Sequence, residues 1–337
     1  MTPSIPLASV DDLTPDTEVR WCPGCGDLAI LATIKQVLAG LGVPREKIVF
    51  VSGIGCAGRL PYYLNTFGFH TVHGKALPIA TGLQAARPDL SVWVVAGDGD
   101  TLGPGAGHLL HAARRNANLK ILLLNNEVFG LHKGHHSPTS RLGTRTRSSP
   151  RGSIESPIRP LAVALAAGVT FAARGIDVDV EHLAMILRAA AGHRGTAFVE
   201  VLQNCKIFND GAFDFATDKT VKADQTIYLE HGRPVIFGKD RQQGIRLDGL
   251  NPTVVTMTGK KLPDLLVHDE AASSPLLAQL LASLAFPDFP ESFGIFRRVE
   301  RPTFDELLAE PEEDLPRPRK PIPLAKLLAG DDPWIVD

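Results

Sequence analysis

Cysteine is scarce in this chain, with four among 337 residues at positions 22, 25, 56 and 205. So few thiols cannot staple a protein of this length, which excludes a disulfide scaffold and leaves metal or redox chemistry as their better use. An excess of charge of one sign is also missing. Lys and Arg number 35 against 37 Asp and Glu, for a formal net charge of −2, and without a basic stripe there is no electrostatic footprint of a nucleic-acid binder. No apolar run approaches the ~20 residues of a membrane-spanning helix; the best candidate, Leu161 to Val169, is too short. The opening segment, Met1 to Val19, is polar and acidic. It has neither the basic start nor the apolar core of a secretory signal, so the expected location is the cytoplasm. Internal repeats and low-complexity tracts are absent as well.

What is present is a globular composition, 44% apolar and 21% charged, enough for one large α/β domain with an appendage or for two domains. Apolar residues recur at helical spacing over Gly26 to Leu41, and a β-branched run at Ile48 to Val51 leads into Ser52-Gly53-Ile54-Gly55, a buried strand ending in a functional turn. Helix, strand, helix and strand are then expected over Leu77 to Ala86, Val92 to Ala96, Gly107 to Asn116 and Ile121 to Leu124. Helices follow over Pro160 to Ala167 and Val180 to Ala191, with a last strand over Thr196 to Leu202. This alternation predicts an α/β fold with a doubly wound parallel sheet and ligands at the carboxyl ends of its strands. Arg141 to Pro160 has no periodicity and reads as a long loop. Beyond Cys205 prolines accumulate at Pro287, Pro290 and Pro311 to Pro323. The expected division is a leader over 1–20, a domain over 21–205, and a C-terminal arm over 206–337 packed on the core and on partner subunits.

Two signals end neighbouring predicted strands on the same sheet edge, Gly97-Asp98-Gly99 and Asn125-Asn126. Magnesium takes near-octahedral oxygen coordination shared among carboxylate, carbonyl, water and phosphate, and Asp98 and Asn126 supply two such oxygens. Glycines at 97 and 99 would let a diphosphate approach the backbone, and the following helix adds its N-terminal dipole. An isolated Gly-Asp-Gly is most often an ordinary turn. The pair at this spacing resembles the thiamine-diphosphate motif, a Gly-Asp-Gly followed after about 25 to 30 residues by an Asn pair, and that resemblance makes the main-chain carbonyl of Val128 the third protein ligand. Separately, Cys22-Pro23-Gly24-Cys25 forms a knuckle, while Cys56 and Cys205 stand alone at predicted strand ends. Four thiolates suit tetrahedral zinc or a cubane cluster; structural zinc usually draws on two knuckles, and no thioredoxin-like context surrounds this one.

Over nearly its whole length the chain resembles the β subunits of two-subunit 2-oxoacid:ferredoxin oxidoreductases. The stretches that carry the resemblance are WCPGCGD (21–27), SGIGC (52–56), LPYYLNTFGFHTVHGKALPIATG (60–82), GDGD (97–100) and LHKGHHSPTS (131–140), with EHGRPVIFGKDRQQGIRLDG (230–249) and LLVHDE (265–270) in the arm. The resemblance implies a thiamine-diphosphate-binding domain over 21–205 that also carries a 4Fe-4S cluster on Cys22, Cys25, Cys56 and Cys205. Magnesium would sit on Asp98, Asn126 and Val128. Gly55, Cys56, His73, Gly97, Gly99 and Asp100 would line the coenzyme site, joined by Gly130 and Leu131. It further implies CoA-dependent oxidative decarboxylation of a 2-oxoacid, 2-oxoglutarate rather than pyruvate, with electrons leaving through the cluster to ferredoxin. An α subunit would supply the activating glutamate, giving an α2β2 assembly.

The same resemblance places Arg59 against the substrate carboxylate, for which a guanidinium is a bidentate partner. Leu131 limits the substrate side chain, and His73 falls beside the cofactor or substrate; core packing, a surface arginine and a turn are the plain alternatives. His132, His135 and His136 depart from the family pattern, as does Gly107. The basic loop Arg141, Arg145, Arg147 and Arg151 could meet coenzyme A phosphates or an acidic ferredoxin face, or simply be solvated. Two other classes of function remain open: a non-redox thiamine-diphosphate decarboxylase or carboligase with structural zinc at the cysteines, and a non-catalytic interaction subunit.

Overall fold

A computed structural model describes residues 9–257, 264–309, 322–331 and 333–334. The first eight residues of the expected leader and most of the proline-rich stretch 311–323 lie outside the described residues. The first strands are β1 (Ile48–Ser52), β2 (Phe67–His70), β3 (Ser91–Gly97) and β4 (Lys120–Asn125), followed by a small hairpin of β5 (Val128–Phe129) and β6 (His135–His136). After β7 (Phe171–Ile176), β8 (Ala197–Leu202) and β9 (Thr226–Tyr228) come β10 (Ile236–Phe237), β11 (Gln243–Asp248) and β12 (Asn251–Thr256), and last β13 (Glu291–Arg298). The helices that matter for the site are α1 (Asp27–Ala39), α2 (Ala76–Ala86), α3 (Asp98–Leu102), α4 (Ala106–Arg115), α5 (Pro160–Ala166) and α6 (Val180–Gly192).

Eight strands form one sheet in the order β2-β1-β3-β4-β8-β7-β13-β9. The first six are mutually parallel, β13 runs antiparallel to β7, and β9 lies parallel to β13. Because side chains alternate across a strand, each central strand feeds two cores. Val49, Val51, Val92, Val94, Ile121 and Leu123 face one side, where α2, α4 and α5 pack. Phe50, Trp93, Val95, Leu122, Leu124 and Val199 face the other, against α1 and α6. The sheet is therefore doubly wound, and the chain leaves β1 outward to β2 on one side and to β3 and β4 on the other. Parallel strands of such a sheet end on one edge, where ligands lie.

Every expected strand and helix occurs within two residues of its predicted ends. The pattern gave no sign of β2, whose FGFH is exposed throughout, or of β7, whose FAARGI carries a buried arginine. Nor did it give strands beyond Cys205, yet β9 and β13 from that stretch join the same sheet. Burying Arg174 in β7 is feasible because its guanidinium meets Glu200 of β8 at 2.9 Å and also Glu291 of β13; a charge buried without such partners would cost several kcal/mol. Between β3 and α4 the glycine-rich connection is partly helical, as α3 begins directly at Asp98. No helix among the described residues is long and apolar enough to cross a membrane.

Candidate functional site

Adjacent parallel strands β1, β3, β4 and β8 deliver their carboxyl ends side by side, so the turns holding Cys56, Asp98, Asn126 and Cys205 meet at one edge. A narrow cleft there is lined by Gly55, Cys56, Gly97, Asp98, Gly99 and Asp100 from two of these turns. Asn126, Val128, Gly130 and Leu131 close it from the β4 side, together with Asp27, Phe129, His132 and Gln203.

Asp98 is 2% exposed, and its Oδ2 accepts from the hydroxyls of Ser137 and Thr139, each at 2.5 Å. Burial pushes its carboxyl upward and these hydrogen bonds oppose that. Asn126 is tied at both ends: Nδ2 donates to Gln203 Oε1 at 2.9 Å, and Oδ1 accepts from the Val128 N–H at 3.2 Å. The Val128 carbonyl accepts from the Gly130 N–H at 3.0 Å and keeps a lone pair for a cation. One carboxylate, one amide oxygen and one carbonyl thus line the same cleft, a donor set suited to magnesium with a diphosphate. Asp27 supplies an independent sign that a group belongs in the cleft. It is 1% exposed, neither carboxylate oxygen has a hydrogen-bond partner among the described residues apart from the neighbouring Cys25 thiol, and burial, which that thiol opposes, raises it to about 7. A buried carboxyl left so is costly in a closed protein.

Gly99 is required, for a reason other than room for a diphosphate: a Cβ there would lie 2.1 Å from the Phe129 ring. At Gly97 a Cβ would meet only a carbonyl at 3.9 Å. Asp100 is a hub, with Oδ1 accepting from the Ile54 N–H at 3.0 Å and the Gly74 N–H at 2.9 Å, and bonded also to His73 Nδ1. His73 thereby stands at the rim beside Leu131, in an open hollow shared with His132, His135 and His136. Its ring stacks over His132 with centroids 6.2 Å apart.

The four cysteines line a second cavity, of about 220 Å³, with Arg20, Trp21 and Arg59. The Cys22–Cys25 knuckle closes by a Cys25 N–H to Cys22 carbonyl bond of 3.0 Å, with Gly24 at φ +78°, a conformation glycine adopts without strain. It is carried to Cys205 by a Gly26 N–H to Asn204 carbonyl bond of 3.1 Å, and Trp21 Nε1 holds the Cys56 carbonyl at 2.8 Å. A Cβ added at Gly130 would touch Cys205 Sγ at 3.5 Å and Cys56 Sγ at 3.6 Å, so the turn after β5 packs against both sulfurs. Burial, reinforced by Asp27, pushes the Cys25 thiol upward and Cys56 up to about 11. Thiolates at such positions require a positive centre to hold them.

Arg59 lies on the cysteine cavity rather than in the Asp98 cleft, and its guanidinium donates to the Arg20 carbonyl at 3.1 Å. Of the basic loop, Arg141 is engaged with Glu127 at 3.0 Å and with the Ala212 carbonyl at 2.5 Å. The sequence reading gave no role to Asp27, Ser137, Thr139 or Gln203. Asp27, Ser137 and Thr139 sit inside the stretches WCPGCGD and LHKGHHSPTS, and Gln203 two residues before a cysteine; proximity to a motif was the available signal.

The family model described as thiamine pyrophosphate enzyme, C-terminal TPP binding domain, matches residues 53–201. The chain is 48% identical over 330 residues, 97% of its length, to the 2-oxoglutarate oxidoreductase subunit KorB of Mycobacterium tuberculosis, covering 88% of that protein. It is 47% identical over 192 residues, 56% of its length, to the 2-oxoacid:ferredoxin oxidoreductase subunit beta of Saccharolobus solfataricus, covering 63% of that protein. Among solved structures, the 2-oxoglutarate:ferredoxin oxidoreductase from Magnetococcus marinus with 2-oxoglutarate, coenzyme A and succinyl-CoA bound superposes with a TM-score of 0.73 at 32% identity, covering 90% of this chain and 89% of that one. With the thiamine-binding region and both cavities contained in the length so matched, the chain belongs to the 2-oxoacid:ferredoxin oxidoreductase β-subunit family, oxidoreductase subunits that work with a partner α subunit.

Proposed function

We propose that the chain, with its α subunit, catalyses CoA-dependent oxidative decarboxylation of 2-oxoglutarate to succinyl-CoA and passes the electrons to ferredoxin. Thiamine diphosphate, when bound, supplies the electron sink for decarboxylation, and a 4Fe-4S cluster supplies a one-electron exit. In this reading Asp98, the Asn126 amide and the Val128 carbonyl hold the magnesium that anchors the diphosphate, while Ser137 and Thr139 keep the Asp98 carboxylate aimed. Cys22, Cys25, Cys56 and Cys205 hold the cluster. The His73–Asp100 pair places a ring nitrogen at the rim, and Leu131 forms the wall against which a substrate side chain would rest. Arg59, across the wall near Cys56, adds positive charge beside that thiolate.

The observation that carries the reading is the wall common to the two cavities. Cys56, Asn126, Gly130, Leu131 and Gln203 line both the Asp98 cleft and the four-cysteine cavity, so groups held in the two cavities would be neighbours across this shared wall. Zinc favours the alternative less. A zinc ion would draw its thiolates to about 2.3 Å of one point, whereas a cubane cluster, with each thiolate on its own iron, would make use of the cavity of about 220 Å³ that the four cysteines line. The test is anaerobic co-expression with the α subunit, then ferredoxin reduction with 2-oxoglutarate or pyruvate, each with coenzyme A. A brown complex that prefers 2-oxoglutarate is expected. A colourless, zinc-loaded complex would sink the redox reading, and a preference for pyruvate the substrate.

A further inference from the structure

We propose that Gln203 is a positioning residue that couples the two cofactor sites, its amide holding the metal ligand Asn126 with one end and hydrogen-bonding a cluster thiolate with the other. The inference rests on the functional reading above. Its origin is the register of two parallel strands. Asn125 of β4 pairs with Leu202 of β8, so the next residues, Asn126 and Gln203, leave the sheet edge side by side, with the Gln203 N–H donating to the Asn125 carbonyl at 2.9 Å.

The Gln203 side chain is 1% exposed and uses every polar group it has. Oε1 accepts from Asn126 Nδ2 at 2.9 Å, while Nε2 donates to the Asn204 carbonyl at 2.6 Å and to Cys25 Sγ at 3.3 Å. The network fixes the direction of both amides. A flipped Gln203 would turn its oxygen toward a carbonyl and a sulfur, both acceptors, and its NH2 toward the NH2 of Asn126. Asn126 is thereby held with nitrogen toward Gln203, so the end left for a cation is the oxygen. At the other end, an N–H donated to a cluster thiolate stabilises the more negative, reduced state, and hydrogen bonds to cluster sulfurs are among the determinants of reduction potential. A glutamine that merely filled the wall would need neither bond.

The experiment compares the anaerobic complex carrying wild type, Gln203→Met and Gln203→Glu by two readouts. One is the cluster midpoint potential from an EPR-monitored redox titration, and the other is the magnesium concentration that half-saturates thiamine diphosphate binding. Methionine keeps the length and removes both bonds. Glutamate removes the N–H toward Cys25 but keeps an acceptor for Asn126. Reduction is expected to become about tenfold less favourable in both variants, a downward shift of about 59 mV for a one-electron couple. The magnesium requirement should rise about tenfold in Gln203→Met and stay near wild type in Gln203→Glu. Should Gln203→Met fail to fold, Gln203→Glu still decides, by a lowered potential with an unaltered magnesium requirement. An unchanged potential in either folded variant, or an unchanged magnesium requirement in Gln203→Met, overturns the coupling while leaving the proposed function intact. A wild-type complex without an iron–sulfur EPR signal overturns both.

Discussion

Thr139→Val removes one hydroxyl from beneath the candidate magnesium ligand while keeping the side-chain shape. Thr139 Oγ1 lies 2.5 Å from Asp98 Oδ2 and 3.0 Å from Asn125 Oδ1, but a hydroxyl has a single proton to give, and the shorter contact to the carboxylate takes it. A hydrogen bond to a charged group contributes about 1.5–3 kcal/mol, and at about 1.36 kcal/mol per decade its loss corresponds to roughly 10- to 150-fold. Loss of a partner that orients a metal ligand costs about 10–100-fold in metal affinity, so the two routes to the magnitude agree. Ser137 keeps its own bond of 2.5 Å to the same oxygen, which points to the lower part of the range. The assay is thiamine diphosphate binding to the assembled complex as a function of magnesium, for wild type, Thr139→Val and Thr139→Ser. The valine variant should need about tenfold more magnesium and the serine variant should recover. A requirement that does not move, or one that falls, would refute the argument, because it would mean the hydroxyl serves only to shield a buried charge.

Three further outcomes follow from the geometry. Gly99→Ala drives a methyl into the Phe129 ring and should destabilise the protein by about 1–3 kcal/mol in urea unfolding, with partial recovery in Gly99→Ala/Phe129→Leu. Arg174→Met strands the buried Glu200 and Glu291, and a loss of about 3–5 kcal/mol is expected; folding as stable as wild type would mean the carboxylates repartner. His193 is buried, and desolvation, then Lys120 and Arg298, lower it to about 4. Unfolded chains take up the proton near the ordinary value and the folded protein resists it until about 4, so stability should fall as pH drops through that window, by up to about 3 kcal/mol. Urea titrations across the window should show a flatter dependence in His193→Gln, and equal slopes would remove His193 as the cause.

The Gly-Asp-Gly, Asn-Asn, Cys56 and Cys205 signals were legible because each follows a strand whose β-branched or aliphatic run is itself local information, and the Cys22–Cys25 knuckle because its spacing is local too. Ser137 and Thr139 were not, since their partner Asp98 lies about forty residues away and the hairpin of β5 and β6 that brings them back is only two residues a side. Arg59 shows the limit of motif position: three residues past Cys56 it can face either cavity, and the short 3-10 helix Ala57–Tyr63 turns it toward the sulfurs.

By itself the amino-acid sequence determined the alternation of strands and helices, the doubly wound class, and which residue types stand at strand ends, because periodicity and turn chemistry act over a few residues. Strand order was decided only in three dimensions. Placing β8 beside β4 brings Gln203 against Asn126 and Cys205 toward Cys56, and β13 beside β7 gives Arg174 its carboxylate. Those contacts join residues that share no local pattern, and only the hydrogen-bond register between distant strands fixes them.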